Sequence, residues 1–261
     1  MIVRLRAHEN RLNLGVVYMA YLGGKARCAD HILKVLNDPK YDNMSYLEPF
    51  VGYAHILRRI RNKKSYMASD NNALLMTLLI AVQKGKHRPF PMISKEQWLE
   101  YKHDNRISLQ RAIAGFAYSY RGDEFSGYAG DEKYGRNYPQ ERVKYYDSLH
   151  DNPVFQKTAL KLIDYKKLNP KGKLIYCDPP YRNSAKSVSY VTNKYGSSVN
   201  FDSDEFWNVM RKWSKNNKVF VSEYVAPPDF KCVSQMEKPN LLGPRTEGTC
   251  AKRIEKLFAI A

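Results

Sequence analysis

Five residues from Lys173 to Cys177 (KLIYC) form an apolar run that reads as a buried strand, and Asp178-Pro179-Pro180-Tyr181 end it. The paired prolines fix the backbone beyond the strand, so a carboxylate and an aromatic ring leave its C-terminal end in set directions. Such a turn suits a flat base that carries an amino group. The Asp178 carboxylate and the Pro179 carbonyl can accept the two hydrogens of one exocyclic amine, and the Tyr181 ring can stack on the base. A stiff strand exit with a packing tyrosine would look the same, so the rest of the chain has to decide.

Strand-like runs at 46–51 and 66–69 are each followed by helix formers, at 54–61 and from Asn71 onward. The pattern returns after 173–177 with a helix over 203–215, capped near Asp202, and a strand at 219–222. This alternation predicts an α/β fold, a doubly wound and mostly parallel sheet with helices on both faces. Runs at 230–233 and 254–260 would close it as a hairpin. Between the halves, over 85–153, the alternation lapses. Eight of the twenty tyrosines lie from Tyr101 to Tyr146, with Gly115, Gly122, Gly127, Gly130 and Gly135 among them. That composition reads as an inserted lobe of adaptable contact surface, leaving 1–84 and 154–261 as the α/β domain.

Lys and Arg number 43 against 26 acids, a formal charge of +17, which points to a polyanionic partner, nucleic acid first. The longest apolar stretch, 73–82, is too short to span a bilayer, so an acidic membrane is not the expected partner. The N-terminus lacks a signal-peptide pattern, and Cys28, Cys177, Cys232 and Cys250 show no CxxC pairing. Reduced thiols in an intracellular compartment are expected, and no metal, since the six histidines are scattered.

A second constellation lies upstream. Glu48-Pro49-Phe50-Val51-Gly52 ends the first strand, and Asp70 ends the next, eighteen residues beyond Gly52. A glycine turn after one strand and a carboxylate after the next is how a ribose-bearing ligand is held. Ala54 stands where a second glycine would complete a pyrophosphate-binding turn, which favours a cofactor with one ribose and no phosphate.

Taken in order, Tyr21-Leu22-Gly23-Gly24-Lys25, the EPFVG segment at 48–52, Ser69-Asp70-Asn71, Asp164-Tyr165 and the DPPY at 178–181 resemble the Dam-type, D12 class, alpha group of DNA adenine-N6 methyltransferases. The resemblance covers most of the chain. Ser222-Glu223-Tyr224, with Pro227 and Pro228, and then Glu255-Lys256-Leu257-Phe258 look most like the phage and viral branch. It implies a Rossmann-like class I methyltransferase fold using S-adenosylmethionine, with 85–153 as the target-recognition insert. It also implies Tyr21, Gly24 and Lys25 at the cofactor, Phe50 and Gly52 lining its pocket, Asp70 on the ribose hydroxyls and Asp164 or Tyr165 at its adenine. Asp178, Pro179 and Tyr181 would hold a flipped-out adenine against the cofactor.

Arg121-Gly122-Asp123-Glu124-Phe125 loosely resembles the RGEF stretch with which Dam enzymes read GATC, making Tyr118, Tyr120, Arg121 and Glu124 candidate DNA-reading residues. GATC and other short adenine-containing sites both stay open. The implied partner is double-stranded DNA, with a separate cognate restriction endonuclease as a further candidate and a monomer or weak dimer as the expected state. The implied location is a bacterial cytoplasm, or a host cell or virion. Two other readings compete: a methyltransferase acting on RNA adenine or cytosine N4, and a DNA-binding scaffold that has lost catalysis.

Overall fold

A computed structural model describes residues 25, 28–130, 137–180, 201–239 and 252–260. Seven strands form one sheet: β1 (Ser45–Glu48), β2 (Ser65–Asp70), β3 (Thr158–Leu162), β4 (Lys173–Cys177), β5 (Lys218–Glu223), β6 (Phe230–Pro239) and β7 (Lys252–Ile260). Their order across the sheet is β3-β2-β1-β4-β5-β7-β6. The first five are parallel, and β7 runs antiparallel between β5 and β6. The expected fold class is therefore present, closing hairpin included, and the KLIYC run is β4 residue for residue. Its last four residues are buried, as a central parallel strand covered on both faces requires.

Helices α1 (Ala29–Leu36) and α2 (Ala73–Gln83) pack in one core with Tyr46, Tyr176, Phe220 and Leu257, whereas α7 (Ser203–Ser214) packs in the other with Leu47, Ile175, Cys177 and Phe258. The α2 segment is apolar almost all round because a third layer covers it. That layer comprises α3 (Lys95–His103), α4 (Leu109–Ala117) and α5 (Tyr138–His150), followed by the single turn α6 (Pro153–Gln156). Ile113, Phe116, Tyr145, Tyr146 and Leu149 share a core with Leu74, Leu75 and Leu78.

Two expectations are corrected. The stretch 54–61 is not a helix but a loop with one 3-10 turn, Leu57–Arg59, bracketed by left-handed residues at Ala54 (φ 57°) and Asn62 (φ 55°). Helix formers there lose to the left-handed backbone at both ends and to burial of the unbroken run 53–57, which is wider than one face of a helix. The tyrosines of 85–153 are mostly packing residues rather than contact surface. Tyr118, Tyr145 and Tyr146 are buried, and Tyr118 and Tyr128 donate to the carbonyls of Pro91 and Ile93, at 2.7 and 2.9 Å. A phenol whose tip reaches a carbonyl buries its ring without stranding a polar group.

Candidate active site

Because β1, β2, β3 and β4 are parallel, their C-terminal ends lie on one rim. The chain leaves β1 toward β2 and β3 on one side, and β4 and β5 lie on the other. The crevice between β1 and β4 is thus the topological switch point, where open α/β sheets bind ligands. Glu48 ends β1 on one side of it, and Asp178 follows β4 on the other.

The β1–β2 side is organised around Asp70. Its carboxylate accepts from the Gly52 amide at 3.2 Å and the Asn72 amide at 3.0 Å, while Asn72 caps α2 through Leu75. Burial pushes the Asp70 carboxyl above its ordinary value, and these amides pull it back. Gly52 sits at φ 48°, and a side chain there would meet nothing within 4 Å. Ala54, at φ 57°, takes a glycine-like conformation, so the missing second glycine changed the residue and not the turn.

The Phe50 ring lies 5.0 Å from that of Tyr165, centroid to centroid, and 5.8 Å from that of Phe206. Asp164 caps the turn carrying Tyr165 by accepting from Lys166, and the Ile163 amide donates to the carbonyl of Asp70, which brings 164–165 beside β2. Phe50, Gly52, Asp70, Asp164 and Tyr165, far apart in the chain, thus border one stretch of rim.

These residues fit a nucleoside-like ligand. Asp70 offers an anchored acceptor of the kind a ribose diol uses, Gly52 leaves open space above the backbone, and the buried Tyr165 hydroxyl has no hydrogen-bond partner among the described residues.

The β4 side holds an ion cluster. The Lys25 ammonium lies 2.6 Å from Asp178 and 3.0 Å from Glu255, with side-chain exposures of 6% for Lys25, 20% for Asp178 and 3% for Glu255. Burial alone would lower the Lys25 pKa, but the two carboxylates reverse this and hold it well above its ordinary value. Lys25 is therefore charged. Glu48 differs: burial drives its carboxyl well upward, the Tyr46 hydroxyl at 2.7 Å draws it part-way back, and the Asp178 charge pushes it up again. Cys177 is buried with its thiol raised by desolvation, so it is a strand residue and not a nucleophile.

Sequence reasoning passed over Glu255 as a site residue. It lies on β7, whose antiparallel course carries its early residues to the rim where the parallel strands end, with Lys256 opposite Glu223. A signal was there: Glu255 is two residues before the buried Leu257 on an alternating strand, a charge at an inward position.

The insert residues divide. Tyr118 is 3% exposed and packed against Phe90 and Tyr128, so it is withdrawn from the DNA-reading set. Tyr120 is 47% exposed, and the guanidinium of Arg121 lies over its ring. Glu124 accepts from the Asn72 side chain at 3.0 Å, tying the insert loop to the Asp70 turn, and Tyr53 donates to the carbonyl of Gly122 at 2.9 Å. Tyr21, Gly24 and Tyr181 lie outside the described residues.

A family model for D12 class N6 adenine-specific DNA methyltransferases matches residues 21–110. That segment carries the D12 methyltransferase signature. It spans Lys25, Phe50, Gly52 and Asp70 and stops short of DPPY. S-adenosylmethionine is the cofactor this signature implies. No curated protein matches the chain. Similar solved structures include the rRNA methyltransferase AviRa of Streptomyces viridochromogenes, at 12% identity and TM-score 0.41, covering 96% of this chain and 94% of that one. PH1948 of Pyrococcus horikoshii, named as a candidate RNA methyltransferase, has 8% identity and TM-score 0.40, over 90% and 82% of the two chains. SMU.472, a candidate methyltransferase solved with SAH, has 10% identity and TM-score 0.36, over 94% and 55%. The strand order and parallel register carry the assignment to the Rossmann-like class I methyltransferase fold. Among the described residues no helix is long and apolar enough to cross a membrane, and no cluster of side chains is arranged to hold a metal.

Proposed function

We propose that this protein methylates N6 of adenine in a short site of duplex DNA, drawing the methyl group from S-adenosylmethionine. The observation that carries the reading is the Asp178 carboxylate, paired with Lys25 at the switch-point crevice across from an anchored Asp70, with the D12 match over residues 21–110. The cofactor, once bound, supplies a methyl group already activated by its positive sulfur, so no enzyme nucleophile is required.

The chain's own residues position and polarise. The lone pair of an adenine N6 is delocalised into the ring, which makes the free amine a poor nucleophile. Asp178 and the Pro179 carbonyl accept hydrogen bonds from its two hydrogens, favour a pyramidal nitrogen and aim the lone pair at the methyl group. The N–CH3 bond would form as the S–CH3 bond breaks, leaving the neutral thioether, and the nitrogen would then release one proton to water. Lys25, at 2.6 Å, places its ammonium against the Asp178 carboxylate and fixes that acceptor at the crevice. Asp70 and the Gly52 turn seat the ribose, while Phe50 and Tyr165 border the adenine of the cofactor. The target base must leave the duplex to reach the crevice, and Tyr181 is the ring assigned to stack on it. Tyr120 and Arg121, at the surface of the insert loop, are the side chains assigned to reading the DNA, with GATC the first sequence to map.

The reaction is tested by incubating the protein with S-adenosylmethionine and unmethylated duplex DNA, digesting to nucleosides and weighing the products. N6-methyldeoxyadenosine supports the reading. Methylcytosine overturns the assignment of the base, and product only with an RNA acceptor overturns DNA as the substrate. A separate outcome is expected for Asp70→Asn, which removes a charged acceptor held by two amides. Cofactor affinity should fall on the order of 10- to 100-fold by calorimetry, since hydrogen bonds to charged groups are worth about 1.5–3 kcal/mol. An unchanged affinity would remove Asp70 from the pocket.

A further inference from the structure

Glu124 takes no part in the transfer as derived, yet it holds the turn on which the ribose acceptor depends. Asn72, which joins Asp70 to α2, makes three bonds at once. Its backbone amide donates to the Asp70 carboxylate at 3.0 Å, its side-chain oxygen accepts from the Leu75 amide at 2.9 Å, and its side-chain amide donates to Glu124 at 3.0 Å. The Gly52 amide also donates to Asp70, and the next residue, Tyr53, donates through its hydroxyl to the carbonyl of Gly122 at 2.9 Å. The insert loop thus holds the Asp70 turn from both flanks. Arg121, assigned to the DNA, lies in that same loop beside Gly122. The amides of Gly122, Asp123 and Phe125 donate to the carbonyls of Ser119, Tyr120 and Gly115 at 3.0, 3.2 and 3.0 Å, so the loop is tied along its length. Arg121 (φ 56°) and Phe125 (φ 49°) are left-handed without being glycine, and the loop keeps this shape against a backbone preference.

We propose that the hydrogen bond between Asn72 and Glu124 makes cofactor binding and DNA binding cooperative, with Glu124 a positioning residue that acts on Asp70 through Asn72. This rests on reading Asp70 as the ribose acceptor and Tyr120 and Arg121 as the DNA-reading side chains. A loop that keeps left-handed residues in place relaxes unless contacts from outside hold it. A ribose on Asp70 fixes the carboxylate, the carboxylate fixes the Asn72 amide, and Asn72 keeps its side chain on Glu124. The loop is then already set when DNA arrives, so the duplex meets less of the cost of ordering it. By linkage, DNA that engages Tyr120 and Arg121 tightens the cofactor by the same factor. Glu124 is half-buried with its carboxylate on the α2 cap, whereas Tyr120 is 47% exposed. Glu124 serves the turn, and Tyr120 the surface.

The coupling is the ratio of duplex dissociation constants without and with saturating S-adenosylhomocysteine, which binds without turnover. It is measured on the full chain with a short duplex carrying the site to which the methylation products map. The ratio should be about 5- to 20-fold in the unaltered protein and below about twofold in Glu124→Ala. Glu124→Gln keeps an acceptor for Asn72 and should retain most of the coupling. Asn72→Ser keeps a helix cap and the amide on Asp70 but deletes the donor to Glu124, so it should lose the coupling as Glu124→Ala does. The double variant should lose no more than either single one. Duplex affinity that falls equally with and without S-adenosylhomocysteine in Glu124→Ala would reveal a direct DNA contact or a merely structural role and overturn the proposal. Full coupling in Asn72→Ser would overturn it as well. An unaltered protein that methylates no duplex, or binds no S-adenosylhomocysteine, sinks the reading of the site and this inference with it, whereas methylation with independent binding of the two ligands sinks the inference alone.

Discussion

Asp178→Ala abolishes methyl transfer, with an expected fall in turnover of at least about 10²–10³-fold, the usual cost of removing one preorganised polar group from a reacting centre. The protein should still fold, because the substitution leaves Lys25 paired with Glu255 at 3.0 Å rather than stranded. Affinity for S-adenosylhomocysteine, which carries no charge at sulfur, should stay within a few-fold of normal, since Asp70 and the Gly52 turn lie on the other side of the crevice. Single-turnover methylation and calorimetry with the thioether product separate the two effects. Asp178→Asn should fall between, for it keeps one acceptor but loses the charge that strengthens it. Near-normal turnover in Asp178→Ala would mean that the amine is polarised by some other group and that the role given to this carboxylate is wrong.

Much of this site was legible in the chain because its parts are short and local. An apolar pentad ended by two prolines needs no tertiary information to become a strand exit, and β4 follows it residue for residue. Asp70 was legible for a related reason, since a carboxylate at the end of the second strand of a parallel pair must lie on the same rim as the turn after the first. Contacts that depend on topology were not legible. The pairing of Lys25 with Glu255 joins residues near opposite ends of the chain, and it exists only because β7 inserts antiparallel between β5 and β6. The insert tyrosines failed for a third reason: the same side chain serves a core or a contact surface, and only the position of a carbonyl such as that of Pro91 decides which. The loop at 54–61 shows helix propensity overruled by tertiary burial of the whole run 53–57 and by left-handed backbone at Ala54 and Asn62.

Lys25→Met should be the most damaging single change to stability. It removes the ammonium that Asp178 and Glu255 share, and one of those carboxylates is 3% exposed. Breaking a buried pair from one side costs about 3–5 kcal/mol, against a total of about 5–15 kcal/mol for a domain. The pH dependence identifies the cause. Without the ammonium, burial and mutual repulsion raise the folded pKa of both carboxylates above the unfolded value of about 4. A group raised in this way stabilises the fold below its unfolded pKa and loses that contribution as pH rises through the folded one. The gap between Lys25→Met and the unaltered protein in urea unfolding should therefore be smallest near about pH 4 and widen toward neutrality. In the unaltered protein Lys25 itself is raised, so its contribution is complete below its ordinary pKa and lost only in strong alkali, outside that window. Adding Glu255→Leu to Lys25→Met should recover stability, because it removes the stranded buried charge and fills the space with an apolar side chain. A loss below about 1 kcal/mol for Lys25→Met, flat from acid to neutral pH, would show that these carboxylates do not depend on the ammonium.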